Sequence, residues 1–290
     1  MKKVLSIGEV LWDVFPTYKK PGGSPANLAY HLHSLGNSTI LASRIGKDKN
    51  GEELLHFLKE KGLPTDQIQS DETHNTGTVS VTFTDGEPSY VIHEPAAWDF
   101  IEYSDALKAA ASRLDAICFA SLSQRNSVTA GTVQHLLNDL PERCLKVFDL
   151  NLRPPFIDRE LITSQIEIAD VVKFNEEEFE QAKEWFSTHN PAAYLLNLHP
   201  EKIILRTLGA NGSEMITSSG TFSEDACPIS GDGDFVGVGD AFLACFTHLR
   251  LQKTALEKLL PAANRYAALV ASKQGGMPEI PGSIIEFVNR

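Results

Sequence analysis

Val171-Val172-Lys173-Phe174-Asn175-Glu176-Glu177-Glu178 is a short apolar run that meets an asparagine and three acids. The run fits a buried strand, and Asn175 followed three positions later by Glu178 reads as a capping box that opens a helix. Similar strand-like runs recur at Val4–Ile7, Ala116–Phe119, Val147–Leu150 and Ile203–Leu205. Several end in polar residues or glycine, as in Asp149-Leu150-Asn151 and Thr207-Leu208-Gly209. Between them lies helical spacing: Leu28, Leu32 and Leu35 recur at i, i+4, i+7, and Val133, Leu136 and Leu137 mark another helix. Leu54, Leu55 and Leu58 precede Gly62 and Pro64, a helix-stop signal. Strand alternating with helix predicts an α/β chain, with helices on both faces of a parallel sheet and ligands bound beyond the carboxyl ends of its strands.

One segment departs from this rhythm. Thr78–Thr84 alternates polar and apolar residues, Asp85-Gly86 is a hairpin-turn dipeptide, and Ser89–His93 can return as a second strand. A hairpin at about 78–93 reads as a small appended sheet, either a lid over a site or an edge decoration. Its position near the substrate-side loops favours the lid. No repeat or long linker divides the chain, so residues 1–290 are expected to form one domain.

Net charge is 26 − 38 = −12, which argues against a nucleic acid or an anionic membrane as partner. It leaves room for a small anion, because backbone N–H groups bind phosphate without lysine. No stretch is apolar for the roughly 18 residues of a membrane span, and the first apolar run meets Glu9 at once, as a strand would. The cysteines at 118, 144, 227 and 245 form no C-x-x-C pair and read as reduced thiols. The expected compartment is the cytoplasm.

The strongest local chemistry lies at Gly237-Val238-Gly239-Asp240, which leads into the apolar run Ala241–Phe246. A glycine-rich loop opening a helix offers free N–H groups and the positive end of the helix dipole, an anion hole. Asp240 at its edge can take a proton from a hydroxyl, and nearby N–H groups are expected to keep it ionised. An ordinary Asp N-cap explains the same residues equally well. The segment is neither a P-loop nor a dinucleotide fingerprint: Gly46-Lys47 continues into Asp48, and Gly237-x-Gly239-x-x ends on Phe242. In Gly22-Gly23-Ser24-Pro25-Ala26-Asn27, Ser24 reads as an N-cap and Pro25 as the first helical residue, while Asn27 can point at a polyol; a plain capped helix is the alternative. Asn175 and Glu178 either cap a helix or hold the waters of Mg²⁺ near a nucleotide. Asp13, and Asp149 with Asn151 and Arg153, are expected at one sheet edge or in turns. His31 and His33, lacking a third ligand, read as helix surface.

Together these segments resemble the PfkB carbohydrate kinases, also called the ribokinase family. Asp234-Phe235-Val236-Gly237-Val238-Gly239-Asp240-Ala241-Phe242 is similar to the C-terminal signature, usually D-T-x-G-A-G-D-x-F, with Phe235 for Thr and Val238 for Ala. Gly22–Asn27 with Leu35-Gly36 and Arg44-Ile45-Gly46-Lys47-Asp48 resembles the N-terminal signature. The resemblance implies a three-layer αβα sandwich with a mostly parallel central sheet and a small β-sheet lid. It implies that Asp240 is the base, that Gly237, Val238 and Gly239 form the anion hole, and that Asp13, Gly23 and Asn27 bind sugar, with Asn151 and Arg153 in a fructokinase-like segment of that side. Asn175, Thr207, Gly209, Gly212 and Asn264 would face the nucleotide, and Glu178 would reach Mg²⁺ through water. A monovalent cation such as K⁺ would sit around Asp234 and Val236.

The segments Gly8–Phe15, Gly22–Asn27, Glu94–Asp99 and Asn151–Pro155 look most like fructokinases, which implies transfer of phosphate from ATP to D-fructose. Lys and Arg do not cluster near the sugar motifs as a phosphosugar would demand. Other readings are a kinase for ribose, a nucleoside or 2-keto-3-deoxygluconate, or a silent binding protein. The exposed lid hairpin could also pair two copies into a homodimer.

Overall fold

A computed structural model of the chain describes residues 1–84 and 87–289. The strands are β1 (Lys3–Ile7), β2 (Leu11–Val14), β3 (Lys19–Gly22), β4 (Ser38–Gly46), β5 (Ile68–Asp71), β6 (Gly77–Thr84), β7 (Glu87–Ile92), β8 (Ala116–Ala120), β9 (Leu145–Asp149), β10 (Val171–Asn175), β11 (Ile203–Thr207), β12 (Ser213–Thr217) and β13 (Gly220–Glu224). The α-helices are α1 (Ser24–Ser34), α2 (Lys49–Glu60), α3 (Asp105–Ala111), α4 (Ser127–Asp139), α5 (Arg159–Ile168), α6 (Glu176–Trp185), α7 (Pro191–Leu198), α8 (Val238–Leu251), α9 (Leu256–Ala271) and α10 (Gly282–Val288).

Nine strands form the main sheet in the order β13-β12-β11-β10-β9-β8-β1-β4-β5. Its pairings are parallel from β11 to β5, and β12 and β13 join antiparallel at one edge. Successive side chains of each strand face opposite layers, and the buried clusters show it. Val4, Ala116, Val147, Val171 and Ile203 pack with α1, α8 and α9, whereas Leu5, Ile117, Phe148, Val172 and Ile204 pack with residues of α3 to α7. This is the three-layer sandwich that the alternation of runs predicts.

The chain leaves β1 for β4 on one side and later returns to β8 on the other. The crevice beyond the carboxyl ends of β1 and β8 is therefore the topological switch point, the usual ligand position in such sheets.

The hairpin prediction needs enlarging. β6 and β7 are two strands of a four-stranded sheet, β3-β2-β6-β7, in which β2 pairs β6 in parallel. Asp13 thus lies in a strand, opposite Lys20, rather than in a turn. Leu11–Val14 and the Pro- and Gly-bearing Lys19–Gly22 are too short to show a period, and their partner β6 is distant in sequence. The Asp85-Gly86 turn lies outside the described residues.

His31 corrects a second expectation. It is fully buried, with Nε2 3.0 Å from the Gly276 carbonyl and Nδ1 3.1 Å from the Tyr266 hydroxyl. α1 lies between the main sheet and α8, so this face meets protein where a surface helix would meet water. Burial above all holds the imidazole pKa down at about 3, so it is neutral. The four cysteines are free, and three of them are buried.

Candidate active site

Gly237 caps α8 with φ 73°, a left-handed turn that suits glycine. A Cβ there would lie 2.7 Å from Gly276 Cα. The first helical bond of α8 runs from Ala241 N–H to the Gly237 carbonyl (2.8 Å), so the N–H groups of Val238, Gly239 and Asp240 precede the ladder and face outward. Asp240 is the third residue of the helix and is 9% exposed, so it is not the N-cap.

Its carboxylate is held by the first turn of α1. Ser24 Oγ donates to Oδ1 at 2.5 Å and Asn27 Nδ2 donates to Oδ2 at 2.9 Å. Gly23, with φ 109°, is the N-cap of α1, and Ser24 is released from the capping role its sequence suggests. Gly23 also lets the chain pass Glu9, whose carbonyl would lie 2.3 Å from an added Cβ. The hydrogen bonds that favour the ionised form come from Ser24 and Asn27, and burial outweighs them, so the pKa is raised.

These groups open on a cavity of about 480 Å³ at the switch point. Seven of the residues singled out from the sequence line it: Asp13, Gly23, Asn27, Asn151, Arg153, Gly237 and Asp240. Leu11, Asp13, Gly22, Val79, Tyr90 and Ile92 come from the small sheet, which forms one wall. Tyr90 and Phe235 are 63% and 64% exposed, two aromatic surfaces at the rim. Asn151 and Phe235 carry positive φ values of 42° and 58°, and both lie at this cavity. Burial pushes Asp13 up to about 6, against the pull of Arg153 and then Lys20.

The other expected residues lie apart from this cavity. Asn175 and Glu178 form the full capping box: Asn175 Oδ1 accepts from Glu178 N–H (2.8 Å) and Glu178 Oε2 from Asn175 N–H (2.7 Å). Glu178 Oε1 accepts from Leu152 N–H at 2.9 Å. Gly209 and Gly212 have φ 55° and 92° in the turn after β11. Beside that turn, Leu208, Asn211, Ser213, Glu224 and Asp225 line a concavity of about 340 Å³. Thr207 Oγ1 reaches the Phe174 carbonyl at 3.4 Å. Asn264 is bound to the protein, accepting from Ser213 Oγ (2.9 Å) and donating to the carbonyls of Glu224 and Asp225 (both 3.1 Å).

Three charged residues escaped the sequence reading. Lys173 and Asp149 are register partners on β10 and β9, on the side that faces α8, and form a buried pair at 2.8 Å. A Cβ on Gly239 would lie 3.6 Å from Lys173 Nζ, so this ammonium sits beneath the anion-hole loop. Burial works against its charge, but Asp149, Glu178 and Asp240 outweigh it and hold the pKa above the ordinary lysine value. The signal was present as the one charge in Val171–Phe174. Lys20 donates to Asp234 Oδ2 at 2.8 Å and ties the small sheet to the loop before α8. The third is Glu9, buried at the carboxyl end of β1 and lining the cavity. Of the cations near the sugar motifs, Arg153 lines the cavity, and Lys20, paired with Asp234, is not among the lining residues.

Residues 1–281 match the family model described as pfkB family carbohydrate kinase. The chain belongs to this family. It is 27% identical over 302 residues to the fructokinase of Salmonella typhimurium, covering 96% of each chain. A fructokinase from Xylella fastidiosa with bound ATP superposes with a TM-score of 0.87 at 22% identity, covering 99% of this chain and 97% of that one. An uncharacterized sugar kinase from Pyrococcus horikoshii in complex with ATP gives 0.81 at 25% identity, covering 94% of each. The PfkB fold and the sugar-kinase class thus match the expectation drawn from the two signatures.

Among the described residues of this kinase, no group of three or more His, Cys, Asp or Glu could cage a metal, and no helix is long and apolar enough to cross a membrane. For Mg²⁺, Glu178 fits as acceptor of a metal-bound water: each oxygen already takes one backbone N–H and retains a lone pair. For K⁺ the fit fails at Asp234. Its oxygens already accept from Lys20 Nζ and from the N–H groups of Val236 and Gly275, so an ammonium occupies the carboxylate.

Proposed function

We propose that this kinase transfers the γ-phosphoryl group of ATP to a hydroxyl of a free sugar, with D-fructose as acceptor and fructose 6-phosphate as product. The observation that carries this reading is Asp240, a buried carboxylate fixed by Ser24 and Asn27 at the open N-terminus of α8, on a cavity with two aromatic surfaces.

Asp240 accepts the proton of the attacking hydroxyl as its oxygen bonds to the γ-phosphorus, and the bond to the β-phosphate oxygen breaks. The N–H groups at the start of α8 face the charge on the transferring group, and Lys173 adds a positive charge beneath them. The turn after β11, with Gly209 and Gly212, and the segment of Asn264 receive the nucleotide. When bound, Mg²⁺ supplies neutralising charge on the phosphates, and Glu178 would hold one of its waters. Asp13, Asn151 and Arg153 hold the sugar. The buried thiols suit the cytoplasm, where ATP is supplied.

The test is ATP turnover with D-fructose, D-ribose, 2-keto-3-deoxygluconate and adenosine. Fructose is expected to give the highest kcat/KM. A different preferred sugar would replace fructose, and no turnover with any would leave a binding protein. K⁺ is not required in this reading: exchanging K⁺ for Na⁺ is expected to leave kcat/KM within about twofold, because Lys20 carries the charge at Asp234. A large K⁺ activation would refute that assignment.

The small sheet acts as lid. Replacing residues 79–92 with a short Gly-Ser loop removes Val79, Tyr90 and Ile92 from the wall and is expected to raise fructose KM and the ratio of ATP consumed to sugar phosphate formed, as water enters the site. Unchanged coupling and KM would make the sheet a decoration. Tyr90 and Val91 on edge strand β7 are exposed and would pair two copies; sedimentation of the shortened variant as a monomer, against a wild-type dimer, tests that pairing.

A further inference from the structure

The acid at position 9 has no place in the mechanism above, yet it is the most buried carboxylate of the cavity. Glu9 follows Gly8 at the end of β1 and is 2% exposed. Its Oε2 is buried with no hydrogen-bond partner in the protein. Glu9 nevertheless lines the same cavity as Asp240, Asn27 and Arg153. A buried carboxylate oxygen left unpaired is costly, because it has given up water without gaining a donor. Such an oxygen on a ligand cavity marks a place where the ligand completes the bonding.

We propose that Glu9 is a sugar-binding residue whose free Oε2 accepts a hydrogen bond from a hydroxyl of the acceptor neighbouring the one that Asp240 deprotonates. The inference rests on the sugar-kinase reading and specifies the acceptor further. Glu9, Asp13 and Asp240 put three acids on one cavity, with Arg153 as the cation among its lining residues. Such a wall favours a neutral polyol, each hydroxyl of which can donate to a carboxylate, over a sugar that already carries a phosphate. Burial most of all, opposed by the backbone N–H of Glu9 itself and then reinforced by the charge of Asp240, raises the Glu9 carboxyl to about 7. Without a donor the group is poorly served as an anion, and a sugar hydroxyl supplies that donor.

The experiment measures fructose KM, ATP KM and kcat for the full chain, Glu9→Gln and Glu9→Ala. A hydrogen bond to a charged group is worth about 1.5–3 kcal/mol, so Glu9→Ala is expected to raise fructose KM roughly 10- to 100-fold. ATP KM should stay within about twofold, and kcat should fall by a smaller factor than KM rises. Glu9→Gln keeps the volume and protects the fold, and should raise fructose KM at least about fivefold because an amide offers the hydroxyl a weaker acceptor. A fructose KM within twofold of wild type in Glu9→Gln overturns the proposal and leaves Glu9 a structural residue. If the wild-type chain phosphorylates none of the neutral sugars tested, the sugar-kinase reading itself falls and takes this inference with it.

Discussion

Asp240→Asn is expected to lower kcat by about 10²–10⁴, the worth of a positioned general base, with little change in either KM. The substitution is close to isosteric in its pocket. The asparagine oxygen can accept from Asn27, its amide can donate to Ser24, and the Ser24 hydroxyl can turn to suit. The fold should therefore survive. The raised pKa of Asp240 makes the same point through stability. An acid whose pKa is higher folded than unfolded loses stability as pH rises from the unfolded value through the folded one. Asparagine carries no such penalty, so above that window the variant should melt no lower than wild type. The rate profile has the opposite sign, since the base must be ionised. Wild-type kcat/KM should fall as pH drops through the Asp240 pKa of the free protein, which lies above the ordinary aspartate value, and the residual kcat/KM of the variant should lack that limb. Steady-state kinetics across pH with thermal melts checks both. A near-normal kcat in Asp240→Asn would remove it from the chemistry.

Lys173→Met should give the largest loss of stability. The Lys173–Asp149 pair is buried between the main sheet and α8, with side chains 9% and 5% exposed. Removing the cation leaves Asp149 as an uncompensated buried charge near Glu178, at a cost of about 3–5 kcal/mol. For a chain of this size that is a fall in Tm of about 5–8 °C. The double variant Lys173→Met/Asp149→Leu should recover most of it, since exchanging a whole buried pair for apolar side chains is often neutral. The double variant should still transfer phosphate slowly, because the positive charge beneath Gly239 is gone. A single variant that melts within about 2 °C of wild type would show that Asp149 finds another partner or protonates without strain.

The two signatures were legible for physical reasons that act locally. Gly237 is required by a left-handed cap, and Asp240 three residues on lies in the first turn whatever α8 packs against. The alternation of Val4 with Leu5, or Val171 with Val172, writes the two faces of the sheet into each strand. Strand runs, helices, the switch-point architecture and seven of the cavity residues thus followed from the residues and from the family resemblance they carry.

What the sequence could not show depends on which strands become neighbours. Lys173 pairs with Asp149 only because β10 lies beside β9 in one register, and 24 residues separate them in the chain. Lys20 meets Asp234 across 214 residues, because β3 folds over the loop before α8. His31, lacking a third metal ligand beside His33, reads as helix surface, yet it stands three residues after Leu28 and four before Leu35, on the face that packing buries. Glu9 reads as the polar end of a strand. Only the tertiary packing around β1 buries it and leaves one oxygen without a protein partner in a residue that lines the cavity. Backbone conformation and periodicity are properties of a few adjacent residues, so the chain states them directly; burial and charge pairing are properties of surfaces brought together, so only the tertiary structure decides them.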